Sequence, residues 1–272
     1  QYISAHSLIG NHFTALAEDS LVRIWMGHRT GNLSWIENGE IHTFETREGS
    51  AVEPVSDILF DSKGVMWFST LNDGLYYHSN GRLFRVDEAE GLPDIFIYDL
   101  FEDPNGSIWA GTDAGIAVCS IVDKKIQIRV LDSDDGLPDI IIKKVKHIQG
   151  RLIGLATEDA GMLSYNLQTR EIKQIIHPKW GFGAISDFVV KENQLWIATP
   201  RGGLILYDSQ IGRVRQISEF NGITLLSVNT LLKDREGNIW AGSKTGLTRT
   251  VGDAVELLEI ADANTGTNVL AL

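Results

Sequence analysis

The sequence predicts an all-β fold, a β-propeller of four-stranded antiparallel blades with six full repeats and the start of a seventh. Three observations predict it. One short motif recurs six times along the 272 residues. Each period holds four short β-prone runs divided by turn residues. No run sustains the apolar spacing of an amphipathic helix.

The motif is clearest around Asp103-Pro104-Asn105-Gly106, which suits a type I turn. Asp is favoured at the first position, Pro at the second, and Gly at the end, where φ turns positive. Ser107-Ile108-Trp109-Ala110-Gly111-Thr112 follows, β-prone and carrying a large aromatic to bury. The copies align on Trp25, Trp67, Trp109, Gly154, Trp196 and Trp240, at steps of 42, 42, 45, 42 and 44 residues. Three residues further stands His28, Thr70, Thr112, Thr157, Thr199 or Ser243, and then a loop-ending glycine. Asp61-Ser62-Lys63-Gly64 and Asp234-Arg235-Glu236-Gly237 repeat the turn.

The first copy spans residues 13–53. In the second, strands are predicted over 55–60, 65–70, 75–78 and 82–86, with Ser79-Asn80-Gly81 closing a hairpin. Gly91-Leu92-Pro93 and Gly136-Leu137-Pro138 lead to the next copies, the proline ending an outer strand where no ladder bond is lost. The third copy covers 97–138, the fourth 141–184 and the fifth 185–226, and the last begins at Val228. Such a unit cannot bury its own faces, so neighbours supply the core, with the tryptophans wedged between adjacent sheets. Gly266-Thr267-Asn268-Val269-Leu270-Ala271-Leu272 has the shape of Gly10-Asn11-His12-Phe13-Thr14-Ala15-Leu16, so a seventh copy is expected to begin there. The two termini are expected to meet, because an open arrangement exposes sheet edges. Residues 1–272 read as one propeller domain, a piece of a longer array that opens at Gln1 without Met or leader.

Composition narrows the function. The net charge of −12 argues against nucleic acid, whose phosphates demand a basic face. A single cysteine, Cys119, gives no disulfide framework and reads as a small buried hydrophobe. No apolar run approaches a membrane span. The seven histidines show no metal-ligand spacing, and neither a nucleophile elbow nor a phosphate loop occurs, so no cofactor is expected. Asp134-Asp135 and Asp61-Ser62-Lys63-Gly64 read as turns rather than as a catalytic dyad or a calcium loop.

The pattern Asp-x-x-Gly-x-x-Trp-x-Gly-Thr-x-x-Gly, followed by Gly-Leu-Pro, resembles the two-component regulator propeller repeat. Residues 103–115 with 136–138 match best, and 234–246 nearly as well. The resemblance covers about 13–250; it weakens in the fourth copy, which lacks the Trp, and in the fifth, where Lys191-Glu192-Asn193-Gln194 replaces Asp-x-x-Gly. It implies the periplasmic sensor region of a bacterial hybrid histidine kinase, with signalling domains downstream in the parent chain. The expected partner is a small polar ligand such as an oligosaccharide, with a homodimer as a further possibility.

Binding is expected at the mouth of the channel. Loop candidates there are Arg29, Asn72, Asp73, Asp113, Glu158, Asp159, Arg201 and Lys244. Counting back from the turns gives an inner row of Ala15, Asp57, Asp99, Lys143, Asp187 and Thr230, and beside it Thr14, Ser56, Tyr98, Ile142, Ser186 and Asn229. A wetted channel competes with a row that bonds ligand hydroxyls or holds a cation between Asp57, Asp99 and Asp187. The fourth copy breaks pattern most, with Lys143-Lys144-Val145-Lys146-His147, Gly154, and His177-Pro178-Lys179-Trp180-Gly181-Phe182-Gly183 as its exit link. Either Trp180 and Phe182 face a sugar ring, or the departures are ordinary drift and Trp180 packs over the vacant slot at Gly154. Lys143 and Lys144 are candidates to pair with a uronate or sulfate. Two other readings stay open: a lyase or hydrolase similar to the streptogramin lyases, with His12 or His28 as base, and a protein-interaction scaffold.

Overall fold

The computed structural model describes residues 12–44, 53–138, 141–217, 219–220, 223–224, 227–243, 246–251 and 254–258. The expected seventh copy, the meeting of the termini and Lys244 lie outside them. Six four-stranded antiparallel sheets follow in chain order, each with its strands in sequence order. The first blade holds β1 (Phe13–Glu18), β2 (Ile24–His28), β3 (Leu33–Glu37) and β4 (Glu40–Phe44). The second holds β5 (Val55–Phe60), β6 (Met66–Thr70), β7 (Leu75–Ser79) and β8 (Arg82–Val86), within a residue of the strands expected from sequence. The third holds β9 (Ile97–Glu102), β10 (Ile108–Thr112), β11 (Gly115–Val122) and β12 (Lys125–Leu131). The fourth holds β13 (Ile142–Gln149), β14 (Leu152–Thr157), β15 (Met162–Asn166) and β16 (Ile172–Ile176). The fifth holds β17 (Asp187–Lys191), β18 (Gln194–Thr199), β19 (Gly203–Asp208) and β20 (Arg213–Ile217). A small hairpin of β21 (Glu219–Phe220) and β22 (Ile223–Thr224) precedes the sixth blade. That blade holds β23 (Val228–Lys233), β24 (Ile239–Ser243), β25 (Gly246–Val251) and β26 (Ala254–Leu258). The chain parts into two compact units, Gln1–Ile142 and Lys143–Leu272.

The turn aspartates do more than initiate turns. In four blades Asp19, Asp61, Asp103 or Asp234 accepts the backbone N–H four residues on through Oδ1. The other oxygen accepts the indole N–H six residues on: Trp25 at 2.9 Å, Trp67 at 3.0 Å, Trp109 at 3.1 Å and Trp240 at 2.8 Å. One carboxylate thus satisfies both the turn and a wedge whose N–H would otherwise be stranded. The left-handed position in this turn is Gly64, Gly106 or Gly237, at φ 80, 81 and 84°; the first blade puts Val22 there at φ 62°. The fifth blade has no such aspartate. Its strands join through the tight pairing Lys191↔Gln194, and the buried Trp196 Nε1 has no hydrogen-bond partner.

A second circuit closes the opposite end of each sheet. The hydroxyls of Thr70, Thr112, Thr157, Thr199 and Ser243 donate to the carbonyls of Gly74, Gly115, Gly161, Gly203 and Gly246, at 2.7–3.0 Å. In the first blade His28 takes this position and bonds Ser34 Oγ at 2.7 Å through Nε2.

Packing follows the wedges. Trp25 packs with Val55, Ile58 and Phe68 of the second blade, and Trp67 with Ile97, Leu100 and Ile108 of the third. Each buried ring removes an area worth roughly 1.5–3 kcal/mol from water. The fourth blade reaches the same end by exchange. A Cβ on Gly154 would stand 2.6 Å from the ring of Phe188 and 2.9 Å from the Met162 methyl. Phe188 occupies the position held by Ile58, Leu100 and Leu231, so the fifth blade supplies the aromatic that the fourth omits. The slot at Gly154 is therefore filled by Phe188 and not, as one of the sequence readings had it, by Trp180, which stands 47% exposed.

Candidate functional site

The first strand of each blade and the loops after the Thr/Ser position carry most of the candidate residues. Two aspartates of the acidic row, Asp57 and Asp187, prove to be internal stitching. Asp57 Oδ1 accepts the N–H of Ile58, and its Oδ2 accepts that of Leu100 in the next blade at 2.8 Å. Asp187 repeats this with Phe188 and Leu231, and adds the Thr230 hydroxyl at 3.2 Å and Lys146 Nζ at 2.5 Å. Asp187 is 1% exposed and Asp99 3%. Burial by itself would raise the Asp187 pKa; the charges of Lys146 and Lys144, with these hydrogen bonds, outweigh it and hold the carboxyl below its ordinary value. Asp187 thus serves to tie strands together, and its oxygens are occupied.

The fourth blade shifts by one residue from the expected alignment. Ile142 is the buried residue that opens β13, as Val55, Ile97 and Val228 open β5, β9 and β23. Lys143 therefore stands in the row of Ser56 and Tyr98, and Lys144 in the row of Asp57 and Asp99. Counting back from the turn fails here because β13 runs eight residues, to Gln149, and its turn lacks Asp-x-x-Gly.

That correction reveals a shared device. Tyr98 donates its hydroxyl to Asp113 Oδ1 at 2.6 Å. Lys143 Nζ lies 3.3 Å from Glu158 Oε2, the same two positions one blade later. Both pairs tie the first strand to the loop after the threonine. Lys143 and Glu158 hence offset each other's charge. In the second blade Asn72 is exposed, and the neighbouring Asp73 accepts the Tyr76 hydroxyl at 2.6 Å and pairs with Arg85 at 2.8 Å.

The links between blades differ most in chemistry. After β8 and β12, one-turn 3-10 helices at Glu88–Glu90 and Ser133–Asp135 are capped by Asp87 and Asp132 and stopped by left-handed Gly91 and Gly136. The next residues, Leu92 and Leu137, are buried. After β16 the same turn forms over Pro178–Trp180, capped by His177 and stopped by Gly181 at φ 79°. Phe182 then falls in the leucine position and packs against the core of the fourth and fifth blades. Trp180 falls where the other links have Glu90 and Asp135, and meets Phe182 edge to face, ring centroids 6.4 Å apart. The Phe182 carbonyl would lie 3.6 Å from a Cβ on Gly202, so the Arg201 loop adjoins this link. That loop is pinned by Gly202 N–H to Thr199 Oγ1 at 2.9 Å and Gln216 Nε2 to Gly202 O at 2.8 Å. Arg201 itself is exposed.

The structure thus sets the Trp180–Phe182 pair beside the loop that carries Arg201 in the second unit, while Lys143 pairs with Glu158 and Asp187 with Lys146. Sequence reasoning missed Lys179 and Lys146; the basic character of the two stretches that carry them was the available signal. His28 is 1% exposed, and burial lowers its pKa, so it is not a solvent-facing base. His12 is exposed. Burial pushes the Cys119 thiol up to about 12. Among the described residues no group of three or more His, Cys, Asp or Glu side chains is placed to hold a metal ion. No described helix is long and apolar enough to cross a membrane.

No curated protein matches the chain in sequence. Among solved structures, the chain is similar to an extracellular domain from B. thetaiotaomicron assigned to a hybrid two component system, BT3049. The TM-score is 0.79 at 14% identity, covering 97% of this chain and 37% of that one. A second such domain, BT4673 from B. thetaiotaomicron, gives 0.71 at 16% identity, covering 97% of this chain and 42% of that one. The chain thus spans less than half the length of these two structures. Virginiamycin B lyase from Staphylococcus aureus, an inactive variant with quinupristin, gives 0.75 at 14% identity, covering 94% of this chain and 87% of that one. At such identities these likenesses speak for the fold alone. The model of the family described as two component regulator propeller matches residues 91–114, the stretch that runs from the Gly91 link through the Asp103 turn and Trp109 to the Thr112 loop. Residues 91–114 therefore match the two-component regulator propeller repeat, within a chain that has a β-propeller fold.

Proposed function

We propose that this chain is the ligand-sensing propeller of a bacterial two-component signalling protein, working outside the cytoplasm and without catalysis of its own. The family match at 91–114 supports the signalling context. The observation that carries ligand recognition is Trp180, a 47% exposed indole on a turn whose counterparts elsewhere are acidic. A large aromatic exposed on a short turn capped by His177 and stopped by Gly181 costs little entropy to present to a ligand. Phe182 braces it from below, and Arg201 stands on the adjoining loop. A saccharide fits this arrangement: its C–H face covers an indole, and its hydroxyls take polar neighbours. Signal output would pass to further parts of a longer chain. Thermal-shift screening of the 272-residue chain against a broad oligosaccharide panel tests the reading. A rise in Tm with some members, lost in Trp180→Ala, is expected; a flat response across the panel overturns it.

A further inference from the structure

The three links that share one backbone plan carry opposite charge. Asp87, Glu88 and Glu90 surround the first, and Asp132, Asp134 and Asp135 the second. The third has His177 where those have Asp87 and Asp132, Lys179 where they have Ala89 and Asp134, Trp180 where they have Glu90 and Asp135, and no acid at all. The backbone does not require this reversal. In all three, the residue before the turn caps it by accepting an N–H two residues on: Asp87 from Ala89, Asp132 from Asp134, His177 from Lys179. Nor is the positive charge absorbed nearby in the way that the other cations of this unit are. Lys143 is paired with Glu158, and Lys146 with Asp187. Lys179 and Arg201 are exposed and have no carboxylate partner among the described residues. The exposed acid on the adjoining loop is Asp159, and that loop reaches the link at Gly161, where a Cβ would lie 3.3 Å from Pro178 N.

We propose that the Trp180 corner is selective for acidic saccharides, those with a carboxylate or sulfate on the ring. This rests on the saccharide reading above and adds the charge of the ligand to it. Trp180 would cover the apolar ring face, while Lys179 and Arg201 supply charge-assisted hydrogen bonds to the anionic group. Arg201 offers the fork that matches a planar carboxylate, and Lys179 a mobile point charge. Asp159 opposes the same anion and so keeps acidic ligands from binding indiscriminately.

The test is calorimetric titration of the full 272-residue chain with an oligogalacturonate and with a neutral oligogalactan of the same length. A sulfated oligogalactan, run in parallel, separates a carboxylate from a sulfate as the favoured group. The acidic probes should bind at least roughly tenfold more tightly than the neutral one, with affinity falling as salt rises. Lys179→Glu, which restores the acidic character of the other links, and Arg201→Glu on the adjoining loop should each weaken that binding by about tenfold or more, while Lys179→Arg retains it. Asp159→Asn should tighten it. Unchanged Tm in these exposed variants separates lost binding from lost folding. If the neutral probe binds as well as the acidic ones, or if charge reversal leaves binding unaltered, the acidic selectivity is overturned while the saccharide reading stands. If none of the probes and no member of the wider panel binds, both are overturned.

Discussion

The third and fourth blades have the same four strands and secure them by different means. In the third, Asp103 holds the turn, Trp109 is buried in the wedge position with its N–H on Asp103, and an acidic link follows. In the fourth, the turn has no aspartate, a glycine stands in the wedge position, and the link is basic and aromatic. The wedge glycine is compensated inside the fold, where Phe188 restores the volume at Gly154, and the first-strand tie of Tyr98 to Asp113 is likewise replaced by Lys143–Glu158. The exposed Trp180 has no structural counterpart to replace. Divergence that the core corrects reports on packing; divergence that stays exposed is where the proposed recognition is placed.

The sharpest way to break this comparison is to exchange the wedge. Trp109→Ala should cost roughly 3–5 kcal/mol in denaturant unfolding, as expected when a buried aromatic leaves a cavity. Gly154→Ala, ordinarily mild, should cost about 1–3 kcal/mol, because the new methyl meets Phe188 at 2.6 Å. Adding Phe188→Leu should recover much of that loss, and a purely additive double mutant would sink the exchange. Next comes the aspartate circuit. Asp103→Ala strands the Trp109 N–H and should cost about 1–3 kcal/mol. Trp196, whose N–H is already without a partner, should tolerate replacement by Phe at about zero cost or with a small gain.

The threonine circuit of the first blade gives a pH-dependent contrast. Burial holds the pKa of His28 below the ordinary 6.5, so on acidification the unfolded chain takes up the proton first. The stability that His28 contributes is complete above that value and falls as pH drops below it. His28→Thr, which installs the residue found in four other blades, should flatten Tm against pH in this window. The smallest effect belongs to the first turn. Val22 sits at φ 62°, where other blades place glycine, and Val22→Gly should raise stability by roughly 0.5–1 kcal/mol. A lower Tm in that variant would show that the side chain matters more than the backbone.

Much of the frame was legible before the structure. The Asp-x-x-Gly turns, the second-blade strands and the wedge positions all depend on residues within a few places of one another, where turn chemistry and alternation decide. The site was less so. The acidic row looked like a ligand surface because a list of polar residues does not say which atoms are occupied. Asp57 is taken by Leu100, and Asp187 by Leu231 and Lys146, each more than 40 residues away in sequence. Lys143 was aligned one residue out because its blade lacks the turn from which the others were counted.

By itself, then, the sequence determined the repeat, its strands and its turns, because hydrogen bonding within a hairpin is settled by near neighbours and by which residues tolerate positive φ. Only the tertiary structure decided that Phe188 fills the place of a missing tryptophan, that carboxylates of the first strands tie successive blades, and that Trp180 rather than Phe182 is left in solvent. Those outcomes depend on which side chain from the next sheet arrives at a given space, and close packing admits one occupant there.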